Sequence, residues 1–217
     1  MKLDRVAIFT RDSGWRGLEA LESCSEGGIV LREQPDLWFN LGEDVLGLGL
    51  VWGLTRNIMI KLPHFVPNLQ ADLRETFCPE LDSSDKKKIV RISAESQYPE
   101  AIVRKIYNLV CTYNMISQFQ QVQGKTIVKG ARVSISPKLG YANHSCEPNA
   151  TRLDVTSLSD FQSKWDGLKA IRDIQASEEV TWSYFYGEIP DKVKDRQQFL
   201  RKNFGFDCKC QRCLREA

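Results

Sequence analysis

Histidine is scarce in this chain, with only two in 217 residues, so chemistry that relies on several imidazoles has little to draw on. Charge is nearly balanced, 30 Lys plus Arg against 28 Asp plus Glu. The chain therefore lacks the basic excess on which an electrostatic nucleic-acid binder depends, and no direct nucleic-acid contact is expected. Long apolar runs are missing too. The longest stretch, Val45 to Ile60, is interrupted by Gly47, Gly49, Gly53 and Arg56 and falls short of the ~20 apolar residues of a membrane span. Met1 to Thr10 carries no apolar segment followed by a small-residue cleavage site, so no secretory leader is expected. Repeats and low-complexity segments are absent. Cysteine, by contrast, is plentiful: seven residues, an odd number without an export signal, which points to an intracellular setting where thiols stay free or bind metal.

Three textures follow one another. Leu3 to about Glu33 reads as short strands around Gly14, Gly17, Gly27 and Gly28. From about Asp36 to Gln123 the pattern turns helical: Asp44 to Asn57, and Pro99 to Gln121, where Ile102, Ile106, Leu109, Val110, Tyr113 and Ile116 share a helical face. After Gly124 strands return at Ala131 to Ile135, Ala150 to Val155, Leu168 to Ile171 and Glu179 to Tyr184. A final helix is expected over Pro190 to Lys202, with Pro190 in its first turn. The Lys86 to Lys88 run reads as a solvated face.

Chemistry concentrates in three places. Cys208, Cys210 and Cys213 form Cys-x-Cys-x-x-Cys, three of the four ligands that tetrahedral zinc requires. The fourth must come from Cys24, Cys78, Cys111, Cys146, His64 or His144; the plain alternative is three free thiols on a frayed tail. Four thiolates on one Zn²⁺ would leave a net charge of −2, which Lys209, Arg212 and Arg215 are positioned in sequence to offset. The second place is Asn143-His144-Ser145-Cys146-Glu147-Pro148-Asn149. It reads as a polar turn, as a ligand-bearing turn, or as a cysteine nucleophile with its base, although a dyad two residues apart on extended chain would be poorly aligned. The third is Glu178 to Gly187, where Trp182, Tyr184 and Tyr186 would project to one side of a strand, either as ordinary core or as an aromatic wall with two hydroxyls.

Taken together, Asn143 to Asn149, Glu178 to Tyr184 and Phe206 to Cys213 resemble, in order and spacing, the SET-domain protein lysine methyltransferases. The resemblance is nearest to the SET-and-MYND subgroup, whose post-SET tail has the same cysteine spacing. Trp15-Arg16-Gly17-Leu18 resembles the family's Gly-x-Gly turn, and Gly167 to Ile174 its strand before the Glu-Glu turn. The resemblance covers roughly residues 3 to 33 and 127 to 213. It implies an α+β fold: a β-rich SET domain of the β-clip, pseudoknot-like kind over residues 1–204, with a helical insertion at about 36–123, and a zinc-binding post-SET tail at 205–217. It also implies S-adenosylmethionine as methyl donor, one structural Zn²⁺, and a lysine-bearing protein or peptide as substrate, with a histone tail as one candidate.

Carried across position by position, Trp15, Arg16, Asn143 and His144 would contact the donor, Phe206 would flank its adenine, and Asn114 would match a further cofactor-contacting asparagine. Tyr184 matches the catalytic tyrosine, Tyr186 and Phe204 the lysine channel, and Cys146 the fourth zinc ligand beside Cys208, Cys210 and Cys213. Trp15 replaces the first glycine of the turn, Phe204 stands where the subgroup often has tyrosine, and the MYND finger is missing. Glu178, Glu179, Glu188 and Asp191 would suit a basic peptide or are simply solvated. The rival reading is a SET-like module that binds donor or peptide with little turnover; a cysteine hydrolase is a third.

Overall fold

Turns rich in glycine cut the first 35 residues into short strands, as the sequence predicts: β1 (Leu3–Asp4), β2 (Val6–Thr10), β3 (Arg16–Ala20) and β4 (Ile29–Glu33). A computed structural model describes residues 3–35, 37–40, 50–61, 80–123, 126–136, 138–153, 165–185 and 187–217. Val30 and Leu31 are adjacent yet both fully buried, so β4 is covered on both faces. The next strand, β5 (Leu37–Asn40), precedes three helices among the described residues: α1 (Leu50–Lys61), α2 (Ser83–Ser96) and α3 (Glu100–Tyr113).

The helical periodicity of this stretch matches helices in the structure, but not at every boundary. The helix expected over Asp44 to Asn57 is seen as Leu50–Lys61 and so runs past Asn57, its expected start lying outside the described residues, and the helix expected over Pro99 to Gln121 ends at Tyr113. Met115, Ile116, Phe119 and Val122 mimic helical spacing, yet Asn114–Gln123 is a strand, β6. It pairs residue for residue with β7 (Thr126–Ile135), only two residues further on. A complete antiparallel ladder with a neighbour that close outweighs a weak local preference. β5 joins the other edge of β7, so the insertion carries a three-stranded sheet in addition to its helices.

The helices pack as the apolar spacing requires. Val103, Ile106 and Val110 of α3 are fully buried against Leu54, Ile58 and Met59 of α1 and Ile92 of α2. Trp52 stacks on Tyr107 at 4.0 Å between centroids and donates its indole N–H to Asp85 at 2.8 Å. Asp82 caps α2 by accepting the Asp85 N–H at 2.8 Å. Ile135 of β7 also belongs to this cluster, tying the insertion to the strands that follow.

Those strands are β8 (Asn143–His144), β9 (Ala150–Arg152), β10 (Asp166–Ala170) and β11 (Glu179–Trp182). They complete two four-stranded sheets, β1-β4-β10-β9 and β2-β3-β11-β8, enclosing Leu18, Val30, Leu31, Leu168, Ile174 and Val180. β9 and β11 are shorter than expected: the former ends at Arg152, the latter at Trp182, so Tyr184 lies past the strand. Buried Asp166 accepts hydrogen bonds from the hydroxyls of Ser134 and Ser136, the latter at 2.6 Å, and so locks β10 to the end of β7. Buried Glu33 accepts the Leu139 N–H at 2.7 Å, holding the 3-10 turn Leu139–Tyr141 that leads into β8.

The last helices are α4 (Val193–Phe204) and α5 (Gln211–Arg215). Pro190 is not in the first turn of α4. It sits ahead of the helix, where its carbonyl accepts from the Arg196 guanidinium at 2.9 Å.

Candidate active site and metal-binding cluster

The site begins where β8 lies parallel to β11, with Asn143 opposite Thr181 and His144 opposite Trp182. The Ser145 N–H donates to the Trp182 carbonyl at 3.0 Å, so the chains run side by side beyond the ladder. Asn149, buried to 1% exposure, fastens the crossing: its amide donates to the Glu179 carbonyl at 2.8 Å and to Glu178 Oε1 at 2.9 Å, and its Oδ1 accepts the Thr181 N–H at 2.8 Å. Its place at the end of the polar run was visible in the sequence; its burial and triple bonding were not.

Asn143 spans to the N-terminal turn. Its amide donates to the Arg16 carbonyl at 2.6 Å and to Glu179 Oε1 at 2.8 Å. A Cβ on Gly17 would come within 2.8 Å of the Asn143 amide, Glu179 Oε1 and the Phe9 ring, so a larger residue would have to displace the side chains that meet here. Gly14 has φ +79°, in the left-handed region. Thus the turn meets its glycine requirements at positions 14 and 17, and Trp15 between them is free to extend outward, half exposed.

Two cavities meet at this crossing. The first, about 330 Å³, is lined by Gly14, Trp15, Arg16, Tyr141, Asn143, His144, Asn203 and Phe206. The second, about 430 Å³, is lined by Leu139, Ala142, Thr151, Arg152, Ile171, Trp182, Phe185 and Ile189. Cys111, Gly140, Tyr184 and Phe204 belong to both walls. Tyr184 is fixed there at two points: its hydroxyl donates to the Ala142 carbonyl at 2.9 Å, and its N–H donates to His144 Nδ1 at 3.0 Å. Its ring lies 4.9 Å from Phe204 and 5.3 Å from His144 between centroids. The Trp182 indole N–H shares the same Ala142 acceptor at 3.1 Å.

Of the residues singled out in the sequence, Trp15, Arg16, Asn143, His144, Tyr184, Phe204 and Phe206 therefore gather around one junction. Asn114 stands at the first position of β6, directly after α3. Tyr186 lies outside the described residues, as do Cys78 and His64. Cys111 and the Ala142 carbonyl, which the sequence did not single out for this site, complete it; a backbone carbonyl leaves no trace in residue identity. Two of the four acidic residues suggested as a groove are already engaged: Glu179 holds Asn143, while Glu178 accepts from Arg172, Asn149 and the Gln175 N–H.

On the far side of His144 the tail returns. Cys146, Cys208, Cys210 and Cys213 place their sulfur atoms all within 4.8 Å of one another. The Cys146 to Cys208 separation is 3.9 Å and the Cys146 to Cys213 separation 3.5 Å, close to the ~3.8 Å edge that a tetrahedron of ~2.3 Å Zn–S bonds requires. The donor set therefore fits Zn²⁺, and of the thiols outside the tail the structure brings Cys146 to this cluster. Donation to Cys208 and burial push the Cys146 thiol up, while Cys208 is drawn down by the hydrogen bond from Cys146 and, further, by His144.

The charge compensation differs in part from the sequence expectation. Lys209 is exposed and Arg215 pairs with Glu147, while Arg212 pairs with Glu216 and also donates to the Cys146 carbonyl at 3.5 Å. Fully buried Arg196 of α4 instead reaches Cys213 Sγ at 3.8 Å, and it also donates to Glu216 and to the Pro190 and Asp191 carbonyls. Nothing in the local sequence marked it, since only the folded tail brings the thiols to α4.

Comparison with known proteins agrees with this arrangement. A SET-domain family model matches residues 16–185. The chain is 41% identical over 76 residues to histone-lysine N-methyltransferase SET5 of Yarrowia lipolytica, covering 35% of this chain and 16% of that protein. It is 32% identical over 123 residues to protein-lysine N-methyltransferase SMYD4 of Homo sapiens, covering 54% and 14%. The chain thus spans a minor part of the length of these relatives. The solved structure of Rubisco LSMT bound to AdoMet superposes with a TM-score of 0.56 at 14% identity, over 95% of this chain and 52% of that one, a likeness of fold. With the family match running from the β3 turn to the residue after Tyr184, the chain belongs to the SET-domain family.

Proposed function

We propose that this chain transfers a methyl group from S-adenosylmethionine to a lysine side chain of a protein inside the cell. The observation that carries this reading is the pair of cavities sharing Tyr184 and Phe204 as a common wall. Donor and acceptor approaching from opposite sides through one aperture are what an in-line displacement at carbon needs. When bound, the donor supplies an electrophilic methyl on a sulfonium.

The chain's residues do the rest. Trp15, Arg16, Asn143, His144 and Phe206 would bind the donor in the smaller cavity. Ile171, Trp182, Phe185 and Phe204 supply the apolar part of the other cavity's wall, where the amine would enter. Free lysine has a pKa near ~10.4 and is mostly protonated; desolvation among these rings disfavours the ammonium, so the lone pair becomes available and the proton leaves to solvent. Tyr184, held by Ala142 and His144, orients that amine rather than acting as a strong base. The ring of Phe204 would then face a methylated, cationic product.

The relatives' names, histone-lysine and protein-lysine methyltransferases, support a protein substrate, and histone tails are the first to try. Incubating the purified, zinc-loaded protein with labelled donor, core histones and whole-cell extract should put label on lysine. Donor binding without label on any protein would favour the binding-module reading instead.

A further inference from the structure

The His144 side chain touches two structures that the proposed reaction treats separately. Its Nδ1 lies 3.0 Å from the Tyr184 N–H, and its Nε2 lies 3.2 Å from Cys146 Sγ. A backbone N–H can only donate, so Nδ1 carries the lone pair and, in the neutral ring, the proton sits on Nε2. That proton points at a sulfur of the thiolate cluster. The ring is confined in this pose by Tyr184, Phe185 and Phe206, whose centroids lie 5.3, 5.4 and 6.1 Å away.

From this geometry we propose that His144 is a positioning residue that couples the metal cluster to Tyr184: one edge of its ring steadies the Cys146 thiolate, the other fixes the backbone of the residue that faces the reacting amine. A hydrogen bond to a metal-bound thiolate offsets part of its charge and orients the ligand, and loss of such an outer contact costs roughly 10- to 100-fold in metal affinity or activity. Coupling is reciprocal, so a cluster that holds Nε2 in place also holds Nδ1 beneath Tyr184. The tail thereby acts on the junction along a chain of hydrogen bonds as well as by folding Phe206 over the donor cavity. The kinetic part of this inference rests on the methyl-transfer reading; the structural part does not.

Two conservative variants separate the edges of the ring. His144→Asn keeps an acceptor near the Nδ1 position and loses the donor to Cys146. His144→Gln keeps a donor near Nε2 and loses the acceptor for Tyr184. His144→Phe lacks both. Zinc release to a chromogenic chelator should quicken about 10-fold in the Asn and Phe variants and about threefold in Gln, whose donor is kept but no longer held in place by Tyr184. Exchange of the Tyr184 amide proton, followed by NMR on the zinc-loaded protein, should quicken about 10-fold in Gln and Phe and about threefold in Asn, whose acceptor is kept but no longer held in place by the cluster. Methyl transfer should follow the amide ranking, falling in kcat more than in donor affinity. Identical behaviour of the Asn and Gln variants in both metal release and amide exchange would overturn the proposal, leaving His144 as a packing residue. If the Phe variant does not fold, the Asn and Gln pair still decides. If the parent transfers no methyl group, metal release and amide exchange still test the coupling, and only the proposed reaction is lost.

Discussion

The helical insertion and the C-terminal tail each bury a small cluster, and they are held by different forces. Between α1, α2 and α3 the buried residues are almost all hydrocarbon: Leu54, Ile58, Met59, Ile92, Val103 and Ile106. Around the tail the enclosed residues are Leu200, three cysteines, Cys146, Cys208 and Cys213, and the Arg196 guanidinium beside them, fringed by Phe199, Phe204 and Phe206. Apolar packing is graded, because each methylene contributes on its own. A tetrahedral thiolate site is closer to all-or-none, because one missing ligand releases the ion and leaves the other thiols crowded. Metal binding would therefore order the tail in one step, on top of the contacts that Arg196 and Gln197 make with it, whereas the insertion tolerates erosion.

The sharpest way to break this contrast is to remove one ligand from outside the tail. Cys146→Ser should reduce zinc to well below one equivalent by elemental analysis and expose residues 205–217 to limited proteolysis. Donor binding should fall with it, since Phe206 both lines the donor cavity and packs against the cluster, while the α1–α3 helices stay folded by circular dichroism. Full zinc occupancy in this variant would overturn the ligand assignment.

A lesion in the other cluster should give the opposite pattern. Ile106 is fully buried among α1 and α3 side chains, and Ile106→Ala should cost about 2–5 kcal/mol of stability, read as a lower urea midpoint. Zinc stoichiometry should remain at one. A simultaneous loss of metal would mean that the two clusters form one cooperative unit.

Much of this contrast was legible in sequence because it is local. The tail shows its spacing within six residues, and Ile106, Leu109 and Val110 show theirs within one helix. What escaped depends on distant chain. β6 looked helical because its apolar residues fall three and four apart, and only its ladder with β7 made it a strand. Arg196 had no sequence signal because its partners, Cys213 and Glu216, reach it through the fold of the tail. The resemblance of motifs located Tyr184 and Asn143, but their restraint by the Ala142 and Arg16 carbonyls is a property of backbone position.

At the junction between the two regions, Tyr184→Phe should sharpen the picture without disturbing either cluster. The ring still packs against Phe204 and His144, so zinc content and donor affinity should hold. Loss of the hydroxyl that orients the amine should lower single-turnover methyl transfer by ~10²-fold, with kcat and kcat/KM falling together. An equal and small effect on rate and affinity would mean that the aromatic group is ordinary core.

The smallest effect expected belongs to the crossing that carries the junction. Burial alone would raise the Glu178 carboxyl pKa, but hydrogen bonds from Arg172 at 2.6 Å, from the Gln175 N–H and from Asn149 outweigh it and hold the group below its usual value of 4.5. A carboxyl whose folded pKa is depressed adds stability above its unfolded pKa, and that stability drains away as pH falls through the folded value. Protonation would remove the negative partner of Arg172 and weaken the acceptor for Asn149, which ties Glu179 and Thr181 to the polar turn. Because Arg172 is about half exposed, the ion pair itself contributes no more than about 1 kcal/mol. The parent should therefore lose stability on acidification below about pH 4.5, and Glu178→Gln should flatten that part of the profile while starting lower at pH 7. Urea midpoints measured at half-unit steps from pH 7 to about pH 3 would show this. Parallel profiles for the two proteins would mean that Glu178 is as well solvated in the folded chain as in the unfolded one, and that Asn149 holds the crossing through its backbone partners alone.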